Sequence, residues 1–133
     1  MRIIKKLFLY RERLYSNRPK YIESIEKNMY FLNTDEASFV ASYLERGLII
    51  IEFVSLTPDP YHNSDMVRNV VFSDGVYAWD GIILHWVKKY RIRLPVEFMR
   101  HIETSCNYNL PVKEEDAPEL LDAYKLADPV WIK

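Results

Sequence analysis

The sequence predicts an α+β protein, with a small, mainly antiparallel sheet of three to four strands and four to five helices packed on it. Its helical and β-rich segments do not alternate as β-α-β units, and two short β-rich runs are joined by an Asp-Gly pair typical of tight antiparallel turns. Apolar residues make up 49% of the 133 residues, the usual proportion for a globular domain. Because no repeat or glycine- and serine-rich linker divides the chain, residues 1–133 are predicted to form a single domain.

The first part of the chain is predicted to contain one strand and two helices. Residues 1–15 fit either a helix or a strand by their apolar spacing, and a strand running into irregular chain is favoured. Pro19 is well placed to start a short amphipathic helix. The apolar face of that helix would consist of Tyr21, Ile22, Ile25 and Met29. A clearer helix follows, capped by Asn33 or Thr34 and ended by Gly47, which is expected to adopt a left-handed conformation.

A strand and a long loop come next. Residues 48–54 are β-branched and almost continuously apolar, which predicts a central strand covered on both faces. The polar connection over residues 55–68 is longer than most loops of compact domains. Loops of this length are often functional.

A hairpin is predicted around Asp74-Gly75. The flanking residues 69–73 and 76–79 are rich in β-formers, and an Asp-Gly pair between such runs favours a type I′ turn, in which both central residues take positive φ. Asp80 is then in position to cap the following helix.

Three helices are predicted after the hairpin. The first follows Asp80, and its buried face would consist of Ile82, Ile83, Trp86, Val87 and Tyr90. Pro95 starts the second, whose core face would consist of Phe98, Met99, Ile102 and Cys106. Asp116 is expected to cap the third, and residues 128–132 are apolar enough to dock on the rest of the protein.

Charge and cysteine content limit the classes of partner and compartment. The formal net charge is −1, so no overall field attracts the chain to nucleic acid or to a membrane surface. A basic run at residues 88–93 could contact phosphate, but cations are also favoured at the end of a helix. No apolar stretch approaches the roughly 20 residues of a membrane span. The single cysteine, Cys106, cannot form an internal disulfide, which favours a reducing compartment and a cytoplasmic location.

The two ends of the chain carry opposite charge. Residues 1–20 are rich in Lys and Arg, whereas Asp and Glu predominate from residue 110 onward. This pattern leaves open whether the ends neutralise each other or the first offers a basic surface to an acidic partner.

No catalytic residue, metal site or cofactor is predicted from motif spacing. His62, His85 and His101 are widely separated, and together with Cys106 and Asp65 they could meet at a metal only through the fold. The cysteine falls on the apolar stripe of a helix, where a thiol behaves as a small hydrophobic group. Neither a nucleophile elbow nor a phosphate-binding glycine loop is present in the sequence.

Carboxylates in loops and turns are the remaining candidates for chemistry. Asp59, Asp65, Asp74 and Asp80 could gather at one end of the sheet, although each also has an ordinary structural role. The alternative hypothesis of a small enzyme or ligand binder would use Asp74, Asp80 and His85 around a pocket beside Trp79.

Residues 73–81, followed by Tyr90, Leu94-Pro95 and Glu97-Phe98, resemble a pattern found in small uncharacterised bacterial proteins. In those proteins a D-G-x-x-x-W hairpin leads into a helix, and L-P-x-E-F starts another. Upstream, residues 43–47 are similar to the Y-L-x-x-G that precedes the central strand, so the resemblance covers about residues 35–102. Small proteins of this kind often look like immunity proteins paired with bacterial toxins. The resemblance implies a fold and a rigid binding role, and it assigns no functional residue.

The sequence therefore favours a non-enzymatic protein-binding module of bacterial type, immunity-like in character, over an enzyme. The predicted partner is another protein, and homo-oligomerisation through an exposed strand or aromatic patch stays open. The contact surface is predicted on the loop at residues 58–65 and the hairpin at residues 74–80. Its candidate binding residues are Asp59, Tyr61, His62, Asp65, Asp74, Tyr77, Trp79 and Asp80.

Overall fold

The structure, a computed structural model, describes residues 2–14, 21–105 and 112–133. The α-helices within these ranges are α1 (Thr34–Glu45), α2 (Gly81–Tyr90), α3 (Val96–Ser105) and α4 (Ala117–Leu126). The strands are β1 (Lys5–Leu9), β2 (Leu48–Glu52), β3 (Thr57–Pro58), β4 (Met66–Val67), β5 (Val70–Ser73), β6 (Tyr77–Asp80) and β7 (Asp128–Trp131). None of the helices in the described part of the chain has the length and apolar character needed to cross a membrane.

Five strands form one mixed sheet in the order β2-β5-β6-β1-β7, and β3 pairs with β4 in a separate ribbon. Strands β2, β5 and β6 are antiparallel, whereas β1 is parallel to both of its neighbours. The α+β class is confirmed, but the prediction of a mainly antiparallel sheet of three to four strands is wrong. The difference arises at the chain ends, because β1 and β7 pair with each other and extend the sheet beyond the hairpin. Nothing local to either segment specifies that pairing.

Helices cover both faces of this sheet, as the alternation of side chains along β5 and β6 requires. On one face, Phe72 and Trp79 join the larger core, to which α1, α2 and α3 contribute. On the other face, Val71 and Ala78 pack with α4 residues such as Leu120 in a smaller cluster. The sheet is therefore the middle layer of the structure.

Strand β2 lies at an edge of the sheet, so the prediction of a central strand is wrong. Its pairing with β5 shifts register between Ile49 and Ile51, and regular strand structure ends at Glu52. Ile49, Phe53 and Val54 are exposed, although the sequence run that contains them is apolar. A run of apolar residues predicts a strand, but it does not show whether other elements cover both faces of that strand.

The hairpin between β5 and β6 is confirmed, but its turn is one residue further along than predicted. Asp74 N–H donates to the Tyr77 carbonyl at 3.2 Å, so Gly75 and Val76 form the tip. Gly75 has φ 94°, and it is the one glycine of positive φ among the described residues. The prediction that Asp74 also adopts positive φ is therefore wrong. Its carboxylate instead accepts the N–H groups of Val76 at 2.9 Å and Tyr77 at 2.8 Å.

Gly47 lies where a side chain would collide with the β5–β6 hairpin. The predicted left-handed cap of α1 at this residue is wrong. Its backbone has no positive φ, and Arg46 occupies the cap position in right-handed conformation. A Cβ atom at position 47 would lie 2.8 Å from Phe72 Cβ and 2.8 Å from Trp79 Cζ2. The missing side chain thus lets the start of β2 approach the hairpin.

The other helix predictions are confirmed in part. Helices α2 and α3 form where expected, and the buried face of α2 is the predicted one. A 3-10 turn at Ile25–Asn28 replaces the helix expected after Pro19, which itself lies outside the described residues, as does Cys106. Asp116 precedes α4 but caps no helical N–H, because its Oδ2 accepts the Lys113 N–H at 2.8 Å.

The basic start and the acidic end of the chain meet at Arg2. Its guanidinium lies 3.5 Å from Asp116 Oδ1 and 3.6 Å from Glu119 Oε2. At Arg2, the two ends of the chain therefore neutralise each other.

Candidate functional site

The loop between β2 and β5 is an ordered ribbon that folds back on α2. Strands β3 and β4 pair within it, and at its tip Asp59 N–H donates to the Asp65 carbonyl at 2.9 Å. The tip is closed by a further bond of 3.0 Å from Asp65 N–H to the His62 carbonyl. The backbone of the long polar loop is therefore ordered by its own hydrogen bonds.

Asp59 anchors this ribbon to the core. Its side chain is completely buried, and its Oδ1 accepts the Trp86 indole N–H at 2.8 Å and the Tyr61 N–H at 2.8 Å. Tyr61 packs edge to face on Tyr90 with ring centroids 5.5 Å apart. A carboxylate and two aromatic rings thus fix the ribbon to α2.

Asp59, Asp65 and His85 form a cluster beneath the ribbon, called here the Asp59–Asp65–His85 cluster. His85 Nε2 lies 3.3 Å from Asp59 Oδ2 and 3.4 Å from Asp65 Oδ2, and one ligand atom from each residue lies within 4.8 Å of the others. Lys89 donates to Asp65 Oδ2, and this bond holds the pKa of Asp65 below its usual range. Asp59 Oδ2 and His85 Nε2 are buried without a hydrogen-bond partner.

Asp59, Asp65 and His85 were all candidates from the sequence. Asp65 and His85 belonged to a set that could meet at a metal only through the fold, whereas the enzyme hypothesis placed His85 with Asp74 and Asp80. The roles of Trp86 and Lys89 were missed. The one available signal was that His85 and Lys89 are four residues apart, and hence on one face of α2.

Asp74 lies in a second cluster, in which every carboxylate oxygen is used. While Oδ1 accepts the two backbone N–H groups of the turn, Oδ2 accepts the Tyr43 hydroxyl at 2.6 Å and bonds with His101 Nε2 at 2.6 Å. Burial, reinforced by this hydrogen bond to Asp74, raises the pKa of Tyr43. His101 is partly buried in this cluster.

We expect the Asp74→Asn variant to lose about 2 kcal/mol of the free energy of unfolding, because an amide cannot accept all four of these hydrogen bonds. Urea titration would measure the loss. Tyr43→Phe is the matched control and removes one of the four bonds, so it should cost about 1 kcal/mol. A larger loss for Tyr43→Phe than for Asp74→Asn would contradict this account of the cluster.

Asp80 lies in a third cluster with Arg13. Its Oδ1 accepts the Ile83 N–H at 3.1 Å, which confirms the predicted cap of α2, and its Oδ2 forms an ion pair with Arg13. Both side chains are largely buried.

The structure does not bring together Asp74, Asp80 and His85, the set of the enzyme hypothesis. Each of them has its own partners in a separate cluster. Trp79, beside which the pocket was expected, is buried, and its indole N–H donates to the Leu44 carbonyl at 3.0 Å. This grouping of residues therefore offers no shared site for chemistry.

The eight predicted binding residues differ in exposure. Those of the hairpin are buried, namely Asp74, Tyr77, Trp79 and Asp80. On the loop, Asp59 is buried, Tyr61 and Asp65 are half-buried, and His62 is exposed and bonds with Ser64 Oγ at 2.8 Å. Only the loop can offer these side chains to a partner.

Large apolar side chains are exposed on β2 and on the ribbon that follows it. We call this set the apolar rim, and it consists of Ile49, Phe53, Val54, Leu56 and Met66. Phe53 N–H donates to the Asn69 carbonyl at 2.9 Å, and Met66 lies opposite Pro58 across the ribbon. Part of the rim, at Phe53 and Met66, thus lies on paired backbone.

A separate groove of about 580 Å³ runs beside β1 and β7. It is lined by residues that include Arg2, Lys5, Glu97, Leu126, Asp128 and Trp131. None of the eight predicted binding residues lines it, so it has no connection to the clusters described above.

No family model matches the chain, and no curated protein or solved structure matches it. The resemblance to small bacterial proteins stays a prediction.

Proposed function

We propose that this protein is a non-enzymatic binding module that associates with another protein through the apolar rim. The observation that carries the proposal is the exposure of five large apolar side chains on one edge strand and its following loop. Exposed apolar patches on a folded surface are typical of interaction sites, because covering them removes apolar surface from water.

The order of the ribbon supports a role in binding. Asp59 fixes its tip to α2, and β3 pairs with β4 at its base. A surface that is already ordered loses little conformational entropy when a partner binds. We include Tyr61 and His62, at the tip of the ribbon, in the proposed contact surface.

The charges of the ribbon favour an apolar contact. Asp59 is buried, Asp65 bonds with Lys89, and Glu52 forms an ion pair with Arg68. Asp65 and Glu52 are therefore paired within the protein, and Asp59 is inaccessible to a partner. The partner that fits would offer an apolar, extended segment, able to pair along the outer edge of β2.

The resemblance to immunity-like proteins indicates which partner to test first. In that narrower form of the proposal, the partner is a toxin enzyme that the rim blocks without any chemistry. This form rests on the resemblance alone, whereas the apolar rim supports protein binding of any kind.

Site-specific photo-crosslinking would test the proposal in cells that naturally produce the protein. A photoreactive amino acid at Leu56 is expected to give one discrete adduct with another protein. Leu126, a leucine at the end of α4 that is more exposed than Leu56, is the control and should give no such adduct. The variant Val54→Asp should weaken co-purification of the same partner at least about tenfold by placing a charge in the interface, whereas Leu126→Asp should not.

Two outcomes would contradict the proposal. Equal adducts from both positions would show that the rim has no special role. Adducts only with a second copy of the chain, together with a dimer in light scattering, would replace the proposed partner by self-association.

A further inference from the structure

We propose that the Asp59–Asp65–His85 cluster binds one divalent transition-metal ion, with Zn²⁺ the best fit, and that the ion fastens the ribbon to α2. This inference goes beyond protein binding and is independent of the apolar rim. Its ligands would be Asp59 Oδ2, Asp65 Oδ2 and His85 Nε2.

The spacing of the ligand atoms fits a metal better than it fits hydrogen bonds. Zinc lies about 2.0–2.2 Å from nitrogen and carboxylate oxygen in tetrahedral sites, so two neighbouring ligand atoms are separated by about 3.4 Å. The distances from His85 Nε2 to Asp59 Oδ2 and Asp65 Oδ2 are 3.3 Å and 3.4 Å. The histidine nitrogen is therefore at the separation from each carboxylate oxygen that is expected of atoms sharing an ion, and one ligand atom from each of the three residues lies within 4.8 Å of the others.

The unpartnered buried atoms are a second, independent observation. Asp59 is completely buried, yet its Oδ2 makes no hydrogen bond, and neither does the buried Nε2 of His85. Burying such atoms without a partner is unfavourable, and each case needs an explanation. An ion between them would satisfy both at once.

The Asp74–His101 pair is an internal comparison of the same residue types. There the Nε2 to Oδ2 distance is 2.6 Å, and the other carboxylate oxygen is also bonded. That pair is explained fully by hydrogen bonds. The chain thus contains one aspartate–histidine pair that is closed by a hydrogen bond and one that is held apart at metal-ligand spacing.

The surroundings of the cluster fit a metal site. Trp86 and Tyr61 donate N–H groups to Asp59 Oδ1, which orients the other oxygen towards His85. The side chains of Asp65 and His85 are about one-quarter exposed, at 25% and 23%, so the cluster lies close to the protein surface. One imidazole with two carboxylates favours a transition metal over Mg²⁺ or Ca²⁺, which prefer oxygen ligands.

Lys89 and a proton on His85 are the competitors of the ion. The Lys89 ammonium already bonds with Asp65 Oδ2 and would have to share that carboxylate with the metal. Protonated His85 could instead pair with both carboxylates without any ion. A measurement of metal stoichiometry at neutral pH separates these possibilities.

The test is equilibrium dialysis of the chelator-treated full chain against Zn²⁺, with Mg²⁺ and Ca²⁺ in parallel. We expect one Zn²⁺ per chain, and no saturable uptake of Mg²⁺ or Ca²⁺ at the same concentrations. His85→Gln should weaken Zn²⁺ binding at least about 100-fold, since it removes the one nitrogen ligand. X-ray absorption at the zinc edge should report one nitrogen and oxygen ligands at about 2.0–2.2 Å.

Two matched variants control for the loss of a histidine elsewhere in the protein. His101→Gln removes the partly buried histidine of the Asp74–His101 pair. His62→Gln removes the exposed histidine at the tip of the ribbon. Both should bind Zn²⁺ as the wild type does. Absence of saturable Zn²⁺ uptake, or uptake that His85→Gln leaves unchanged, would overturn the inference, and loss of uptake in His62→Gln or His101→Gln would place the ion elsewhere.

Discussion

An Asp80→Ala variant is expected to lose about 3–5 kcal/mol of the free energy of unfolding. The change leaves the Arg13 guanidinium without its counter-ion at a position where the Arg13 side chain is only 18% exposed. It also removes the cap of α2, because Asp80 Oδ1 no longer accepts the Ile83 N–H. The Phe8 ring, 4.5 Å from the guanidinium carbon, offers only partial compensation.

Urea unfolding followed by tryptophan fluorescence would measure this loss. Asp122→Ala, at an exposed position of α4, is the matched control and should change the free energy of unfolding by less than about 0.5 kcal/mol. The double variant Arg13→Met with Asp80→Ala should recover part of the loss, since no buried charge remains unpaired. Equal stabilities of Asp80→Ala and Asp122→Ala would contradict the importance of the Arg13–Asp80 pair.

A Gly81→Ala variant is expected to be destabilised by about 3 kcal/mol, at the upper end of the usual cost of overpacking. A Cβ atom at position 81 would lie 2.1 Å from the carbonyl oxygen of Arg68, which is a backbone atom between β4 and β5. Helix propensity alone predicts the opposite sign, because alanine stabilises a helix relative to glycine by about 1 kcal/mol. A loss of stability in Gly81→Ala would therefore indicate that packing dominates, and a gain would indicate that helix propensity dominates.

Thermal and urea unfolding of Gly81→Ala would decide between the two. Gly75→Ala is the useful comparison, since its cost arises from positive φ at the hairpin tip and should be about 1–2 kcal/mol. A Gly81→Ala protein as stable as the wild type would mean that the Arg68 carbonyl moves aside without cost. In that case the close approach of this loop to α2 is not a rigid feature.

Short-range chemistry explains which parts of the fold were predicted. Helix α1 begins after Asn33, whose side chain accepts the Glu36 N–H at 2.8 Å, and α2 begins in the same way after Asp80. The hairpin also depends on local interactions, since the Asp74 carboxylate accepts the Val76 and Tyr77 N–H groups and Gly75 has positive φ. Each of these interactions joins residues a few positions apart, so the local sequence is sufficient to predict it.

The candidate site depended on contacts that the local sequence does not contain. Asp59 and Asp65 were recognised as loop carboxylates and His85 as a helix residue, but only the folding of the ribbon back on α2 brings them together. The hairpin carboxylates Asp74 and Asp80, which looked equally available, are occupied by Tyr43, His101 and Arg13.

The α+β class, the helices α1 to α4, the hairpin and the long polar loop were predictable from the local sequence. The parallel pairing of β1 and β7, the edge position of β2 and the contact of His85 with the loop appear only in the folded structure. The physical reason is the range of the interactions. Helix caps and turns form between residues a few positions apart, so the local sequence contains both partners. An apolar or charged side chain also needs a partner, but that partner is often distant in the sequence and is identified only in the folded structure.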